Sequence, residues 1–224
     1  MKQLILIDNQ VRENTYSAAD YFVSESNLYI YKSLVETPSN KKPIVLKGHS
    51  KSGKTHIGRV WASKHGADIL SNLPDQAHLA IHNHCFIDDI DKLTTQEEIE
   101  ALLHIYNSAV ENGKILLMTT RSLDFSDVLP DLSSRLRSSI TYSIPPPDDE
   151  LLRVVTRKQF YLYQTRVSEN VVNLVLQRVD RSLEAVVDFV ALLNREALHK
   201  GKPISARLFR ETSASASKER QSQQ

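Results

Sequence analysis

One motif restricts the fold of this chain more than any other feature: the segment Gly48-His49-Ser50-Lys51-Ser52-Gly53-Lys54-Thr55. It fits the P-loop pattern G-x-x-x-x-G-K-[ST], and its context fits as well. The apolar run 43–47 predicts a short buried strand before the loop, and residues 54–65 predict a helix that Gly66 ends. A strand, a glycine-rich loop and a helix in this order predict a site for a polyphosphate. The alternative is a glycine turn between a strand and a helix that binds nothing.

The loop also predicts which side chains contact the ligand. Backbone N–H groups turn inward around a polyphosphate, and the helix N-terminus adds positive partial charge. We expect Lys54 to reach the β- and γ-phosphates and the Thr55 hydroxyl to ligate Mg²⁺. The nucleotide-binding candidates in and around the loop are Gly48, Ser50, Lys51, Ser52, Gly53, Lys54, Thr55, His56 and, in an aromatic segment ahead of it, Phe22.

A second motif, residues 85–91, is an apolar strand that ends in carboxylates. In a P-loop protein this is the Walker B position, where a strand beside the P-loop strand delivers an acid to the Mg²⁺. We assign Asp88 to the metal and Asp89 to the orientation of the attacking water. The alternative is a strand followed by an acidic helix cap.

Strands and helices alternate up to residue 146, which predicts a parallel five-stranded sheet covered on both faces, with the ligand at its carboxyl edge. The proline run 145–147 marks a boundary, and the pattern beyond it is helical. The predicted organisation is an N-terminal peptide (1–12), an α/β nucleotide-binding domain (13–146), a helical domain (147–211) and a disordered polar tail (212–224).

The composition of the chain excludes several classes of protein. The net charge of +1 gives no field for general nucleic-acid attraction, and the single cysteine, Cys85, excludes an internal disulfide. No apolar run is long enough for a signal peptide or a membrane span, which predicts a soluble cytoplasmic protein. His78, His82, His84 and Cys85 lie close in sequence. On a strand, however, His82 and His84 share one face while Cys85 points to the other, so solvated strand-edge histidines are expected rather than zinc ligands.

Together these motifs resemble the AAA+ ATPases, and within them the DnaA-related proteins of the Hda type, over about residues 10–210. Residues 179–184 look like the sensor 2 motif of the family, which implies that Arg181 reaches the phosphates. Thr120 occupies the sensor 1 position. Residues 129–136 are similar to box VII, which implies that Arg135 is an arginine finger; we expect it near the nucleotide edge of the sheet. The terminal residues Gln3, Leu4, Leu6 and Ile7 match the peptide with which such proteins dock on the replication clamp.

The resemblance implies a regulator that binds ADP or ATP with Mg²⁺ and promotes hydrolysis of DnaA-bound ATP in complex with the sliding clamp. That activity restrains the initiation of replication. The implied partners are DnaA and the clamp. Neither sequence-specific DNA binding nor a membrane is expected, and the resemblance allows a homo-oligomer. Two departures from the family pattern are Ser139, where a second box VII arginine is usual, and Thr120, where an acid is common. The resemblance does not decide whether the chain alone hydrolyses ATP.

Two other functions stay in view. A helicase-loader-like ATPase that binds single-stranded DNA would need a basic groove with stacking aromatics, and the aromatics here, 7% of the chain, are mostly expected in the core. A metabolic nucleotide kinase would need an arginine-rich lid between strands, whereas the predicted helical domain follows the sheet. The N-terminal apolar segment could also be an edge strand of the chain's own sheet.

Overall fold

The computed structural model describes residues 16–36, 42–76, 81–124 and 129–221. It divides into two units, Met1–Pro145 and Pro146–Gln224. The first unit is built on a five-stranded sheet in the order β2-β3-β4-β1-β5, in which every strand pair is parallel. The strands are β1 Ile44–Lys47, β2 Asp68–Leu70, β3 Cys85–Ile87, β4 Leu116–Thr120 and β5 Ile140–Ser143. The predicted five-stranded parallel sheet is confirmed.

The helices of the first unit cover both faces of this sheet. They are α1 Glu25–Tyr31, which continues as a π-helical segment Lys32–Glu36, then α2 Lys54–His65, α3 Leu73–Gln76, α4 Gln96–Glu111 and α5 Pro130–Ser138. Side chains of β4 alternate between the two cores: Leu116 and Met118 pack with α4 and α5, while Leu117 packs with α2. This is the period of two that a strand imposes.

One prediction about the sheet is wrong. The strand that carries Asp88 does not lie beside the P-loop strand, because β4 runs between β3 and β1. All five residues of β4 are buried, which suits it to the central position. Since β1, β3 and β4 are parallel, their carboxyl ends still meet at one edge, and the groups that follow them converge there.

The second unit contains four described helices: α6 Asp149–Leu162, α7 Glu169–Arg178, α8 Leu183–Lys200 and α9 Ala206–Gln221. Two of them begin at capping side chains, because Asp148 Oδ1 accepts the Leu151 N–H at 2.7 Å and Ser182 Oγ accepts the Ala185 N–H at 3.1 Å. The last helix does not end at Glu211 as predicted. Residues 211–221 contain neither glycine nor proline, so nothing in the sequence interrupts it.

None of the helices described for the chain combines the length and the apolar composition that a membrane span requires.

Candidate nucleotide-binding site

The P-loop connects β1 to α2 and depends on two glycines for its shape. Gly53 has φ = 96°, in the left-handed region that glycine tolerates best. At Gly48 there is no room for a side chain, because a Cβ there would lie 2.5 Å from Ser52 Oγ. The loop therefore closes tightly on itself, as a phosphate-binding backbone requires.

Lys54 lies inside this loop and is only 5% exposed. Its Nζ donates to the carbonyl oxygens of Gly48 at 2.9 Å and His49 at 3.0 Å. Burial lowers the pKa of Lys54, and the nearby carboxylates of Asp89, Asp91 and Asp88 partly offset this shift. A buried ammonium beside the start of the loop is well placed to meet an anion that enters it.

Asp88 is held by two hydroxyl groups from different elements. Thr55 Oγ1 donates to Asp88 Oδ2 at 2.7 Å, and Thr119 Oγ1 donates to Asp88 Oδ1 at 2.5 Å. Thr119 also accepts the backbone N–H of Asp89 at 2.7 Å. The structure thus brings the two predicted metal ligands, Thr55 and Asp88, into direct contact.

This donor set fits Mg²⁺, which prefers hard oxygen ligands and is usually held by one or two protein groups together with phosphates. The loop also contains a polar group that fits an added ligand. Ser52 Oγ is buried and has no hydrogen-bond partner among the described residues, and such groups normally find one. Thr55, Asp88 and Ser52 are therefore the groups that would face the metal and the phosphates.

Thr119, which the sequence analysis did not select, makes the contact with Asp88. Thr120 Oγ1 instead donates to the Ser122 carbonyl at 2.7 Å, although Thr120 also lies at the carboxyl end of β4. The sequence indicates only that hydroxyl groups end this strand. Which of the two adjacent threonines faces Asp88 depends on the register of β4 against β3.

Asp89 has φ = 51° and its Oδ2 lies 2.5 Å from Lys92 Nζ. Asp91 binds Arg121 twice, by accepting its backbone N–H at 3.0 Å and its Nε–H at 2.6 Å. The acids after β3 therefore have distinct environments: Asp88 meets hydroxyl groups, whereas Asp89 and Asp91 meet cations.

Aromatic side chains surround the start of α2. The His56 ring meets the rings of Tyr16 and Tyr21 edge-on, with centroids 5.6 and 5.0 Å away. The guanidinium of Arg59 lies 4.6 Å from the centre of the Tyr16 ring, as in a cation–π contact. Phe22, the predicted aromatic contact, is half-buried, and its carbonyl accepts from Asn27 at 3.0 Å. The sequence motif predicted Phe22 and His56 at this site but gave no signal for Tyr16, Tyr21 or Arg59.

Arg135 is not near the chain's own phosphate loop. It lines an open cavity of about 440 Å³ whose other walls include Lys42 and Pro43, the residues directly before β1. The P-loop follows β1, so the two features belong to opposite edges of the sheet. The expectation that Arg135 lies at the nucleotide edge is wrong, because α5 runs back toward the amino edge before β5 begins.

Helix α4 contacts both the side chain and the backbone carbonyl of Arg135. Its Nε donates to Asn107 Oδ1 at 2.7 Å, and its Nη1 lies 2.5 Å from Asp131 Oδ1. Its carbonyl accepts from the Tyr106 hydroxyl at 3.1 Å and from Ser139 Oγ at 3.0 Å. Nη2 makes no hydrogen bond to the described residues, and the side chain is 34% exposed.

Arg181, in the second unit, forms an ion pair with Asp149, with Nη2 and Oδ1 2.5 Å apart. Both side chains are largely exposed. An arginine just before a helix opposes the helix dipole unless an anion compensates it, and here Asp149 is that anion.

The prediction that the histidines before β3 are solvated is wrong at His84. This residue is half-buried rather than solvated, and its Nδ1 accepts the Ile115 N–H at 2.9 Å, which holds the segment before β4. Burial lowers the pKa of His84, and Lys114 and His65 lower it further. No cluster of three metal-binding side chains occurs in the described ranges. His78 and the terminal candidates Gln3, Leu4, Leu6 and Ile7 lie outside them.

Known proteins resemble this chain in sequence and in fold, although no family model matches it. An uncharacterised protein of Haemophilus influenzae is 25% identical over 221 residues, 88% of this chain and 92% of that protein. The chromosomal replication initiator DnaA of Borreliella burgdorferi is 27% identical over 212 residues, 80% of this chain but only 44% of DnaA. The chain therefore spans less than half of that initiator.

The solved structures agree on the architecture. Domain III of Thermotoga maritima DnaA superposes with a TM-score of 0.71 at 18% identity and covers 88% of this chain and 95% of that domain. AMPPCP-bound DnaA from Aquifex aeolicus gives a TM-score of 0.57 at 20% identity, with 80% of this chain and 65% of that chain covered. At these identities the likeness establishes the shared fold.

Proposed function

We propose that this chain, a DnaA-related protein of the AAA+ class, binds an adenine nucleotide with Mg²⁺ and, together with the sliding clamp, stimulates hydrolysis of the ATP bound to DnaA. Through that activity it restrains the initiation of replication. In this proposal the first unit is the nucleotide-binding domain, the second is a helical lid, and residues 1–12 are a clamp-binding peptide.

The adenine nucleotide occupies the P-loop in this proposal. The A. aeolicus DnaA of the same fold is bound to the nucleotide analogue AMPPCP. Lys54 and the backbone of the loop hold the phosphates, while Thr55 and Asp88 hold Mg²⁺, which neutralises phosphate charge when it is bound. Thr119 keeps the Asp88 carboxylate turned toward Thr55. The roles of Asp89, Thr120 and Arg181 toward the nucleotide belong to the same proposal.

The position of Arg135 supports an action on a second nucleotide better than any other observation. Arg135 lies at the edge of the sheet opposite the P-loop, so it is badly placed for the chain's own phosphates. Asn107 and Asp131 hold two of its nitrogen atoms and leave Nη2 for a partner. An arginine supplied to another protein's phosphates in this way accelerates hydrolysis by about 10³–10⁵-fold.

The N-terminal peptide is the part of the chain that binds the clamp in this proposal. Residues 4–7 form an apolar segment of the kind that binds a partner as an extended peptide, with Leu4 and Leu6 in pockets, Gln3 anchoring the start and Ile7 at the end. Removal of residues 1–8 is expected to abolish clamp binding while the thermal stability stays nearly unchanged. Clamp binding by the truncated chain would contradict this part of the proposal.

The test is a single-turnover assay of the ATP bound to DnaA, with this chain and the clamp loaded on DNA. Wild type should accelerate hydrolysis, and Arg135→Ala should lose that stimulation. Arg137→Ala is the matched control, since Arg137 is an exposed arginine of the same helix and has no hydrogen bond or ion pair within the described ranges. Full stimulation by Arg135→Ala, or none by wild type, would refute the proposed function.

A further inference from the structure

The cavity that Arg135 lines has the dimensions of a small-molecule site. Its volume of about 440 Å³ lies within the usual range for ligand pockets, roughly 300–1,000 Å³. Its described walls come from α4, from α5 and from the residues directly before β1. Three parts of the first unit therefore hold these walls in a fixed arrangement.

Two cations line the cavity, and neither is fully used within the described chain. Arg135 bonds through Nε to Asn107 and through Nη1 to Asp131, which leaves Nη2. The Lys42 side chain is exposed and forms no ion pair or hydrogen bond with any described residue. Because its two bonds fix the guanidinium in advance, an anion that binds Arg135 loses little affinity to the ordering of this side chain.

Apolar surface lines the same cavity. The side chain of Val110 is 47% exposed, and Pro43 and the buried Tyr106 also contribute to the walls. A single exposed valine is ordinary on a protein surface, but this one shares a concave site with two cations. An inorganic anion would leave the apolar walls uncovered. The walls therefore fit an anionic group that is attached to an apolar body.

An acid completes the lining. Glu111, the last residue of α4, is exposed and has no hydrogen bond or ion pair with the described residues. Its carboxylate repels an anion but accepts a hydrogen bond from an N–H or O–H group. A ligand that suits every wall therefore carries a donor as well as an anionic group.

From this lining we propose that the cavity binds a small organic molecule with a carboxylate or phosphate group, which pairs with Arg135 Nη2 and with Lys42. Bound there, the ligand occupies the nitrogen that Arg135 otherwise offers to a second nucleotide, and it inhibits the stimulation of DnaA. This consequence rests on the proposed function, whereas the binding itself does not.

The first test is an NMR titration of the full, ¹⁵N-labelled chain in the presence of excess ADP and Mg²⁺, which occupy the P-loop. Benzoate and phenyl phosphate are the probes, and their relative affinity separates a carboxylate site from a phosphate site. Both should shift the amide signals of the cavity residues, with Kd values in the millimolar range because the probes have few atoms. Benzamide, which has the shape of benzoate without its charge, should bind about tenfold more weakly.

Substitutions in the lining sharpen the titration. Arg135→Gln should weaken benzoate binding about tenfold, because a hydrogen bond between charged groups is lost. Lys42→Gln should weaken it less, because Lys42 is exposed to solvent. Glu111→Gln removes a like charge and should tighten binding. Arg137→Gln is the matched control and should leave Kd unchanged, since Arg137 is an exposed arginine of α5 that does not line the cavity.

The second test adds benzoate to the assay of DnaA-bound ATP with this chain and the clamp on DNA. At about ten times its Kd, benzoate should lower the stimulation about tenfold, because little unoccupied chain remains. Benzamide at equal concentration and ionic strength should not lower it. Absence of stimulation before benzoate is added would contradict the proposed function, whereas the titration decides on the binding site by itself.

Several results would overturn the proposal. Wild type without shifts at the cavity is one, and equal affinity for benzamide and benzoate is another. Unchanged affinity in both Arg135→Gln and Lys42→Gln would also contradict it. Shifts confined to the P-loop would place the anion at the nucleotide site instead. Binding at the cavity without a loss of stimulation would overturn the inhibitory role.

Discussion

The two edges of the sheet in the first unit present their charged side chains in opposite ways. At the carboxyl edge, Lys54 bonds to the carbonyls of its own loop, and Thr55 bonds to Asp88. At the amino edge, Arg135 is fixed by α4 and Asp131 but keeps one nitrogen without a described partner. The charged groups at the carboxyl edge are bonded within the chain, whereas Arg135 offers a rigid cation to a surface outside the chain. This contrast suggests that the edges serve two different nucleotides.

Lys54→Ala should produce the largest effect, because it removes the buried cation of the carboxyl edge. Nucleotide binding should be lost. Wild type at a ligand concentration about a hundred times Kd should gain roughly 2.7 kcal/mol in its free energy of unfolding, and the variant should gain nothing. Thermal unfolding with and without ADP measures this difference.

Lys64→Ala, an exposed lysine in the last turn of the same helix, is the control and should keep the full ligand-induced shift. An equal shift in wild type and Lys54→Ala would mean that the nucleotide binds elsewhere.

Gly58→Ala should distort the carboxyl edge through its packing. A Cβ at Gly58 would lie 2.3 Å from the buried ring of Phe86, so α2 would have to move away from β3. Overpacking of this kind costs about 1–3 kcal/mol. Chemical denaturation should show that loss, together with weaker nucleotide binding.

Gly66→Ala adds a methyl group with no atom within 4 Å, at φ = 60°. Its backbone strain should lower stability by roughly 1–2 kcal/mol and leave the nucleotide affinity unchanged. If Gly58→Ala lowered the free energy of unfolding without weakening nucleotide binding, the packing of α2 against β3 would not affect the nucleotide site.

Tyr106→Phe should affect only the amino edge. It removes a buried hydroxyl that donates to the Arg135 carbonyl and also contacts Ser139 Oγ at 3.2 Å. The free energy of unfolding should fall by about 1 kcal/mol, and stimulation of DnaA should decrease because Arg135 is held less firmly. Nucleotide affinity should not change; a decrease would show that the edges are coupled. Tyr29→Phe, which alters a largely exposed tyrosine, should change none of these quantities.

The smallest expected effect is on the pH dependence of stability. His84 must be neutral at Nδ1 to accept the Ile115 N–H, and its surroundings lower its pKa in the folded state. As the pH falls below about 6.5, the unfolded chain therefore takes up this proton first, and the free energy of unfolding decreases. His84→Asn keeps an acceptor and removes the titration, so its stability should fall less between pH 7 and 5.5. Equal slopes would contradict this account of His84.

Local features of the sequence were sufficient to predict much of the site. The P-loop, the bounds of α2 and the carboxylates after β3 follow from glycines, caps and apolar runs that lie close together in the chain. The meeting of Thr55 and Asp88 also follows, because parallel strands end at a common edge. These predictions need no knowledge of the strand order, so the wrong neighbour assumed for β3 did not affect them.

The rest depended on tertiary structure. Thr119 and Thr120 are chemically alike and adjacent, so only the strand register decides which of them reaches Asp88. The edge at which Arg135 lies depends on the direction in which α5 crosses the sheet. The exposure of Tyr161 next to the buried Phe160 depends on which face of α6 packs against the other helices, and composition alone had suggested aromatics placed mostly in the core.

The claim that the two edges serve different nucleotides can be tested directly by the affinity of Arg135→Ala for ADP, measured by isothermal titration calorimetry on the chain without DnaA. The account predicts a Kd equal to that of wild type, because Arg135 lines a cavity at the amino edge and contributes nothing to the P-loop. A loss of affinity of tenfold or more would show that Arg135 serves the chain's own nucleotide and would contradict the account.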